Sequence, residues 1–324
     1  MKYDFNYLID QINEAKFVEA PFQHIYLENF FSDSHFIEVI NSKEIAILPS
    51  ENDEALFLEL KDAGYKIIHH PGCIIDKEKY IKWHKGEKKV KHHSACEGFG
   101  IALRLHSPQT QIMKKLIEFL GSSDFNNCLA EKFGHNLNDC DIDGGIQKYL
   151  DGYEISPHPD LRRKAVTYMV NINPKKESES MNHHTHYLKF KSQYRYVQAF
   201  WEENELIDRC WVPWNWCETK FIQSRNNSIV LFQPTNNTMH AVKASYNHLN
   251  TQRTQLYGNL WFKVNNVEGT FDWEDFDLQL SNKKNKNIRD KIPDPVRNFL
   301  KMARSKILKT DEKVGGKSFY DFYE

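Results

Sequence analysis

Four side chains between residues 158 and 253 of this 324-residue chain have the types and spacing to hold a metal ion beside an anion site. His158 and Asp160 stand one residue apart in "ISPHPDL". On a strand, side chains two apart share a face, so an imidazole and a carboxylate could reach one ion. The pair alone says little, because in a chain with fifteen histidines about one such spacing is expected by chance. Its setting says more. Pro157 and Pro159 cannot donate ladder hydrogen bonds, which puts the pair at a strand end or edge, where side chains face a cavity.

Two imidazoles and one carboxylate on one face of an octahedron, with the opposite positions open, suit Fe(II). The third ligand would be His240, which follows the apolar "SIVLFQP" and the turn "TNNT" and leads into "HAVKA". His248, in the looser "YNHLN" turn, is the poorer choice. Thirteen residues after His240, Arg253 heads the strand-like "TQRTQLYGNLWF". An inward arginine is costly unless an anion meets it, and a planar guanidinium matches a carboxylate through two parallel hydrogen bonds. A dicarboxylate co-substrate would supply that anion. His183, His184 and His186 in "MNHHTHYLKF" read as a solvated polar loop rather than a second metal site. Trp201, Trp211, Trp214 and Trp216 read as core before pocket wall.

These residues need a scaffold. Hydrophobic residues at 40% and charged ones at 27% describe a chain that folds around a core. A helix is expected over residues 4–16, a strand in "PFQHIYLENFF", and a second helix in "SDSHFIEVINS" capped by Ser32 or Asp33. Residues 44–97, rich in lysine and histidine, read as irregular. "TQIMKKLIEFLGSS" reads as an amphipathic helix stopped at Gly121. From 144 to 264 the texture is β-rich, with strands expected in "GGIQKYL", "AVTYMVNINP", "YRYVQAFWEE", "TKFIQS", "NSIVLFQP" and "TQLYGNLWFKV", the pattern of a sandwich or barrel. Beyond Gly269 the chain turns polar and basic before "DPVRNFLKMARSKIL", which has the caps and period of a helix. The expected division is one β-rich domain over 1–270 and a helical extension over 271–324.

A formal net charge of −1 provides no general field for nucleic acid or an anionic membrane, and no segment has the apolar run of a signal or a membrane span. The expected location is the cytoplasm. The six cysteines form no CxxC pair, which speaks against a zinc ribbon, a redox motif or a dense disulfide framework.

The chain resembles the Fe(II)- and 2-oxoglutarate-dependent oxygenases, in the branch of the prolyl 4-hydroxylase catalytic domains. The resemblance lies in "YLDG" (149–152), "HPD" (158–160), "VTYMVNINP" (166–174), "HAV" (240–242) and "RTQ" (253–255), with "PFQHIYLENFFSDSHFIEVI" (21–40) like that family's lead-in. It implies a mainly β fold with supporting helices, a double-stranded β-helix or jelly roll. It implies that His158, Asp160 and His240 hold Fe(II) as the catalytic centre, and that Arg253, helped by Gln255 and Tyr149, binds 2-oxoglutarate. The implied reaction uses dioxygen, releases succinate and CO2, and hydroxylates an unactivated C–H bond of a small molecule, a sugar or a peptide residue. Halogenating relatives lack the carboxylate ligand, so Asp160 favours hydroxylation. Two departures matter. Gln255 stands where the family commonly has serine, and "MNHHTHYLKF" replaces a Gly-Gly-rich strand, so the substrate does not carry over. Two other readings stay open: a cupin-like metal enzyme that does not use 2-oxoglutarate, and a non-catalytic jelly-roll module for a glycan or protein. The sequence sets no oligomeric state.

Overall fold

The structure, a computed structural model, describes residues 4–68, 73–86, 95, 98–264 and 269–270. The first half builds a helical layer. Helix α1 (Tyr7–Glu14) buries Leu8 and Ile12 and leads to strand β1 (Ile25–Glu28). Helix α2 (Asp33–Ile40) starts at Ser32, whose hydroxyl accepts the His35 N–H, satisfying one orphan donor of the first turn. Residues 44–97 are not irregular where described. They form α3 (Asp53–Asp62), β2 (Tyr65–Ile67) and α4 (Lys77–Lys85). Asn52 and Asp76 cap the two helices through their side chains. Those caps were readable signals, obscured by the surrounding lysines and histidines. Strand β3 (Ala102–Leu105), α5 (Gln111–Leu120) and α6 (Ser123–Lys132) complete this part.

The second half supplies β4 (Cys140–Tyr149), β5 (Glu154–His158), β6 (Lys164–Asn171), β7 (Thr185–Phe190), α7 (Arg195–Glu203) and β8 (Ile207–Arg209). Strands β9 (Cys217–Gln223), β10 (Ser228–Phe232), β11 (His240–Lys243), β12 (Arg253–Phe262) and β13 (Gly269–Thr270) follow. The expected strand in "YRYVQAFWEE" is helix α7. Aromatic residues favour strands, but Val197 and Trp201, four apart, are the buried pair, and that spacing makes one helical face. The expected helical extension lies outside the described residues. Among those residues no helix is long and apolar enough to cross a membrane.

The strands make a seven-stranded sheet in the order β1-β10-β6-β12-β4-β3-β2, a four-stranded sheet β5-β11-β7-β9, and a small β8–β13 pair. Pairing in the two main sheets is antiparallel, so the architecture is mainly β with supporting helices. Strand alternation divides the large sheet into two faces. Ile229 and Leu231 of β10, Tyr168 and Val170 of β6, and Leu256 and Leu260 of β12 join the main core with the helices. The opposite face carries Val230, Phe232 and Met169, which meet Tyr187 of the small sheet. On the same face, β12 presents Arg253, Gln255 and Asn259, all buried. Polar side chains buried at every second position mark the strand that serves a site.

Candidate metal centre and anion pocket

His158 ends β5, His240 begins β11, and the two stand opposite each other in the ladder. Strand β5 is an edge of its sheet, where Pro157 costs no central hydrogen bond. The strand does not continue to Asp160. That residue has φ 78°, a left-handed conformation that aspartate tolerates better than most, and the turn brings its carboxylate back beside the imidazoles. The shared strand face expected from the sequence is therefore replaced by a turn, with the same outcome for the ligand atoms. They lie within 4.8 Å of one another.

The tautomers are set for coordination. His158 Nδ1 faces the Ser156 carbonyl at 2.9 Å and His240 Nδ1 faces the Thr238 carbonyl at 2.9 Å. A carbonyl only accepts, so both Nδ1 atoms carry the proton and both Nε2 lone pairs face the centre. Burial, with His240 alongside, pushes His158 down to about 3, and burial also lowers His240, so both rings are neutral. The Thr238 hydroxyl donates to the Pro159 carbonyl, tying the two ligand segments together. Two neutral imidazoles and a carboxylate are a donor set that fits Fe(II).

Asp160 is held from several sides. Its Oδ1 accepts the Leu161 N–H at 2.9 Å and the Lys164 ammonium at 2.6 Å. Its Oδ2 accepts the Thr167 hydroxyl at 2.8 Å and lies 4.0 Å from His240 Nε2. Burial alone would raise the carboxyl, but the Lys164 charge and the neighbouring imidazoles hold it below the ordinary carboxylate range. Thr167 Oγ also lies 3.0 Å from Asn259 Oδ1. One hydroxyl has one proton, and the carboxylate is its stronger acceptor.

Arg253 opens β12 and is only 2% exposed. Its Nη2 donates to Thr185 Oγ1 at 3.0 Å and to Gln255 Oε1 at 2.8 Å, and its guanidinium sits 4.5 Å over the Tyr149 ring. Its Nε has no partner among the described residues. Burial lowers its pKa, opposed by the nearby tyrosines Tyr149, Tyr153, Tyr246 and Tyr187, and it has no ion pair with an acidic side chain among the described residues. A buried guanidinium is costly unless an anion meets it. Gln255 and Tyr149 are next to it, as the resemblance implied. They act mainly on the arginine: Gln255 bridges it to Asn171 at 2.8 Å, and Tyr149 forms its floor. Tyr246, not singled out in the sequence, accepts the Arg253 N–H at 2.9 Å and donates to the Tyr149 carbonyl.

The three ligand residues, Arg253, Gln255 and Tyr149 all line one cavity of about 610 Å³. Trp211 also lines it, whereas Trp201 and Trp216 belong to a separate apolar cluster and Trp214 packs beside it. The expected solvated histidine loop is buried instead. His183 is 0% exposed, His184 is buried, and burial drives them to about 2 and about 4. His184 donates to the Ser178 carbonyl at 2.9 Å, while the His183 ring packs on His184 and Tyr246 and has no side-chain hydrogen-bond partner among the described residues. His186 is on β7. Lys164, Thr167 and Asn259 went unnoticed in the sequence. Their signal was polar residues inside strands that are otherwise apolar and buried.

A second group, Asp53, His84 and His248, also brings two imidazoles and a carboxylate together. His248 has the opposite tautomer. His248 Nδ1 accepts the Asp151 N–H at 3.3 Å, so its Nε2 carries the proton and donates to Asp53 Oδ1 at 2.8 Å. His84 Nδ1 lies 2.8 Å from Asp53 Oδ2. Burial would raise Asp53, but these two hydrogen bonds hold it below the carboxylate range. This is a hydrogen-bonded tie from α3 and α4 to the loop before β12, with no imidazole lone pair turned toward an ion by His248.

No protein-family profile and no curated protein matches this chain. Solved structures do. It is similar to a prolyl-4-hydroxylase from Pseudomonas putida at 9% identity and TM-score 0.39, covering 80% of this chain and 99% of that one. It is similar to a prolyl hydroxylase from Trichoplax adhaerens, solved with a hypoxia inducible factor oxygen degradation domain peptide fragment, at 12% identity and TM-score 0.37, covering 80% and 89%. It is also similar to an oxidoreductase of the 2OG-Fe(II) oxygenase family from Burkholderia pseudomallei, at 9% identity and TM-score 0.28, covering 68% and 97%. These are similarities of chain course, and the chemistry of the site rests on the side chains described above.

Proposed function

We propose that this chain is an Fe(II)- and 2-oxoglutarate-dependent dioxygenase that hydroxylates an unactivated C–H bond of a small molecule, a sugar or a peptide residue, built on a double-stranded β-helix. The observation that carries this reading is Arg253. Its guanidinium is buried, without an acidic partner among the described residues, in the same cavity as two imidazoles and a carboxylate whose donor atoms lie close together. A 2-oxo dicarboxylate satisfies both ends: the distal carboxylate meets the guanidinium, and the 2-oxo acid end suits a metal with open positions. Iron held by His158, Asp160 and His240 would supply dioxygen activation coupled to decarboxylation of 2-oxoglutarate to succinate and CO2.

The chain's own residues do the positioning. Thr185 and Gln255 orient the guanidinium fork, and Tyr149 stacks beneath it. Tyr153 and Trp211 line the same cavity and help exclude water, which strengthens every charged contact inside. A cupin-like enzyme without a dicarboxylate would leave the Arg253 charge uncompensated, and a non-catalytic module has no need of preset imidazole lone pairs. The test is the anaerobic visible spectrum of the Fe(II)-loaded protein before and after 2-oxoglutarate. A new charge-transfer band is the expected result. Folded, iron-loaded protein that shows no band rejects the reading.

A further inference from the structure

The carboxylate ligand has an unusual neighbour. Lys164 is buried at the edge of the metal cavity, with its ammonium 2.6 Å from Asp160 Oδ1 and 2.8 Å from the Tyr257 hydroxyl. The lysine is paired directly with the carboxylate inside the cavity. A carboxylate offers about four lone-pair directions. Three are occupied here: two on Oδ1 by Leu161 N–H and Lys164, one on Oδ2 by Thr167. The remaining one is on Oδ2, the oxygen nearer His240.

Resting on the metal reading above, we propose that Lys164 is a positioning residue that sets the denticity and charge of the metal centre. By holding Oδ1, it restricts Asp160 to a single bond through Oδ2 and so keeps a coordination position open for other ligands. By placing a unit positive charge next to the carboxylate, it weakens the site's hold on a divalent cation. A merely structural lysine predicts the opposite sign, because its loss would loosen Asp160 and weaken metal binding.

The experiment is calorimetric and visible-spectrum titration of the full chain with Co(II), under mildly alkaline conditions that keep Asp160 ionised, for wild type, Lys164→Met, Lys164→Gln and Lys164→Arg. Lys164→Met is expected to bind Co(II) at least about tenfold more tightly, a conservative effect for removing a unit charge beside a divalent ion at an effective dielectric near 20. Its Co(II) d–d bands should shift as Oδ1 also coordinates. Lys164→Gln keeps a neutral donor on Oδ1, so it should bind more tightly with bands like wild type, and it decides the matter if the methionine variant does not fold. Lys164→Arg should match wild type. Equal or weaker Co(II) binding by the folded neutral variants overturns the proposal while leaving the metal site intact. Wild type that binds no Co(II) overturns the metal reading, and this proposal with it.

Discussion

Replacing Arg253 with methionine separates an arginine kept for a ligand from one kept for the fold. In the ligand-free protein the guanidinium has two hydrogen bonds to neutral oxygens and one aromatic ring. Hydrogen bonds from a charged donor contribute about 1.5–3 kcal/mol each and a desolvated cation–π contact about 2 kcal/mol. Burying the charge costs several kcal/mol in return. The terms nearly cancel, so Arg253→Met should change the stability of the ligand-free protein by no more than about 2 kcal/mol. With 2-oxoglutarate the balance differs, because the variant leaves a buried carboxylate without its partner. Losing one member of such a pair costs about 2–5 kcal/mol, which raises the dissociation constant roughly thirtyfold to several-thousandfold. Anaerobic titration of the metal-loaded protein measures this directly, and denaturant unfolding measures it by linkage. At a 2-oxoglutarate concentration about 100 times its dissociation constant, wild type gains about 2.7 kcal/mol, while a variant weakened a hundredfold gains about 0.4 kcal/mol. Arg253→Lys, which keeps charge but loses the fork, should fall between. Affinity within about threefold of wild type, or a loss above about 4 kcal/mol without ligand, would refute the argument.

Metal titration should saturate at one Co(II) per chain and be abolished by His240→Ala; a second equivalent lost in Asp53→Ala would show that the His248 tautomer argument is wrong. Lys148 is fully buried, with its Nζ on the Ile45 carbonyl and Thr254 Oγ1, and burial pushes it from 10.5 down to about 7. Between those values the unfolded chain binds more protons than the folded one, so Lys148 makes stability rise with pH by up to about 1.4 kcal/mol per unit. Urea unfolding across that window should lose this slope in Lys148→Met, and an unchanged slope would assign it elsewhere. Gly258 lies opposite Tyr168, and a Cβ there would come within 2.3 Å of its Cζ and hydroxyl. Gly258→Ala should therefore cost about 3 kcal/mol by overpacking, and a loss under about 1 kcal/mol in thermal unfolding would mean the ring yields.

The sequence was most legible where a local rule and the tertiary environment agreed. Ser32 caps α2 because orphan backbone groups of the first turn are a local matter, and α5 ends at Gly121 as expected. The strands around His158, His240 and Arg253 were legible because branched and aromatic runs between breakers suit a sheet in most settings. Reading failed where two rules competed. The aromatic content of α7 pointed to a strand while its spacing pointed to a helix, and Val197 and Trp201 settled it by packing on one face.

By itself, the sequence determined the inventory: two histidines, an aspartate and an arginine at positions that short strands could bring together, and the alternation that sends Arg253, Gln255 and Asn259 to one side of β12. These follow from residue type and a period of two. Only the tertiary structure decided how the inventory is used. The left-handed turn at Asp160 is a single backbone torsion. Lys164 reaches that carboxylate only because of the same turn. His158 and His240 differ from His248 in which ring nitrogen holds the proton, and that depends on whether a carbonyl or an N–H sits behind the imidazole. Partners so distant in sequence are set by the packing of both sheets, where most buried polar atoms find a match.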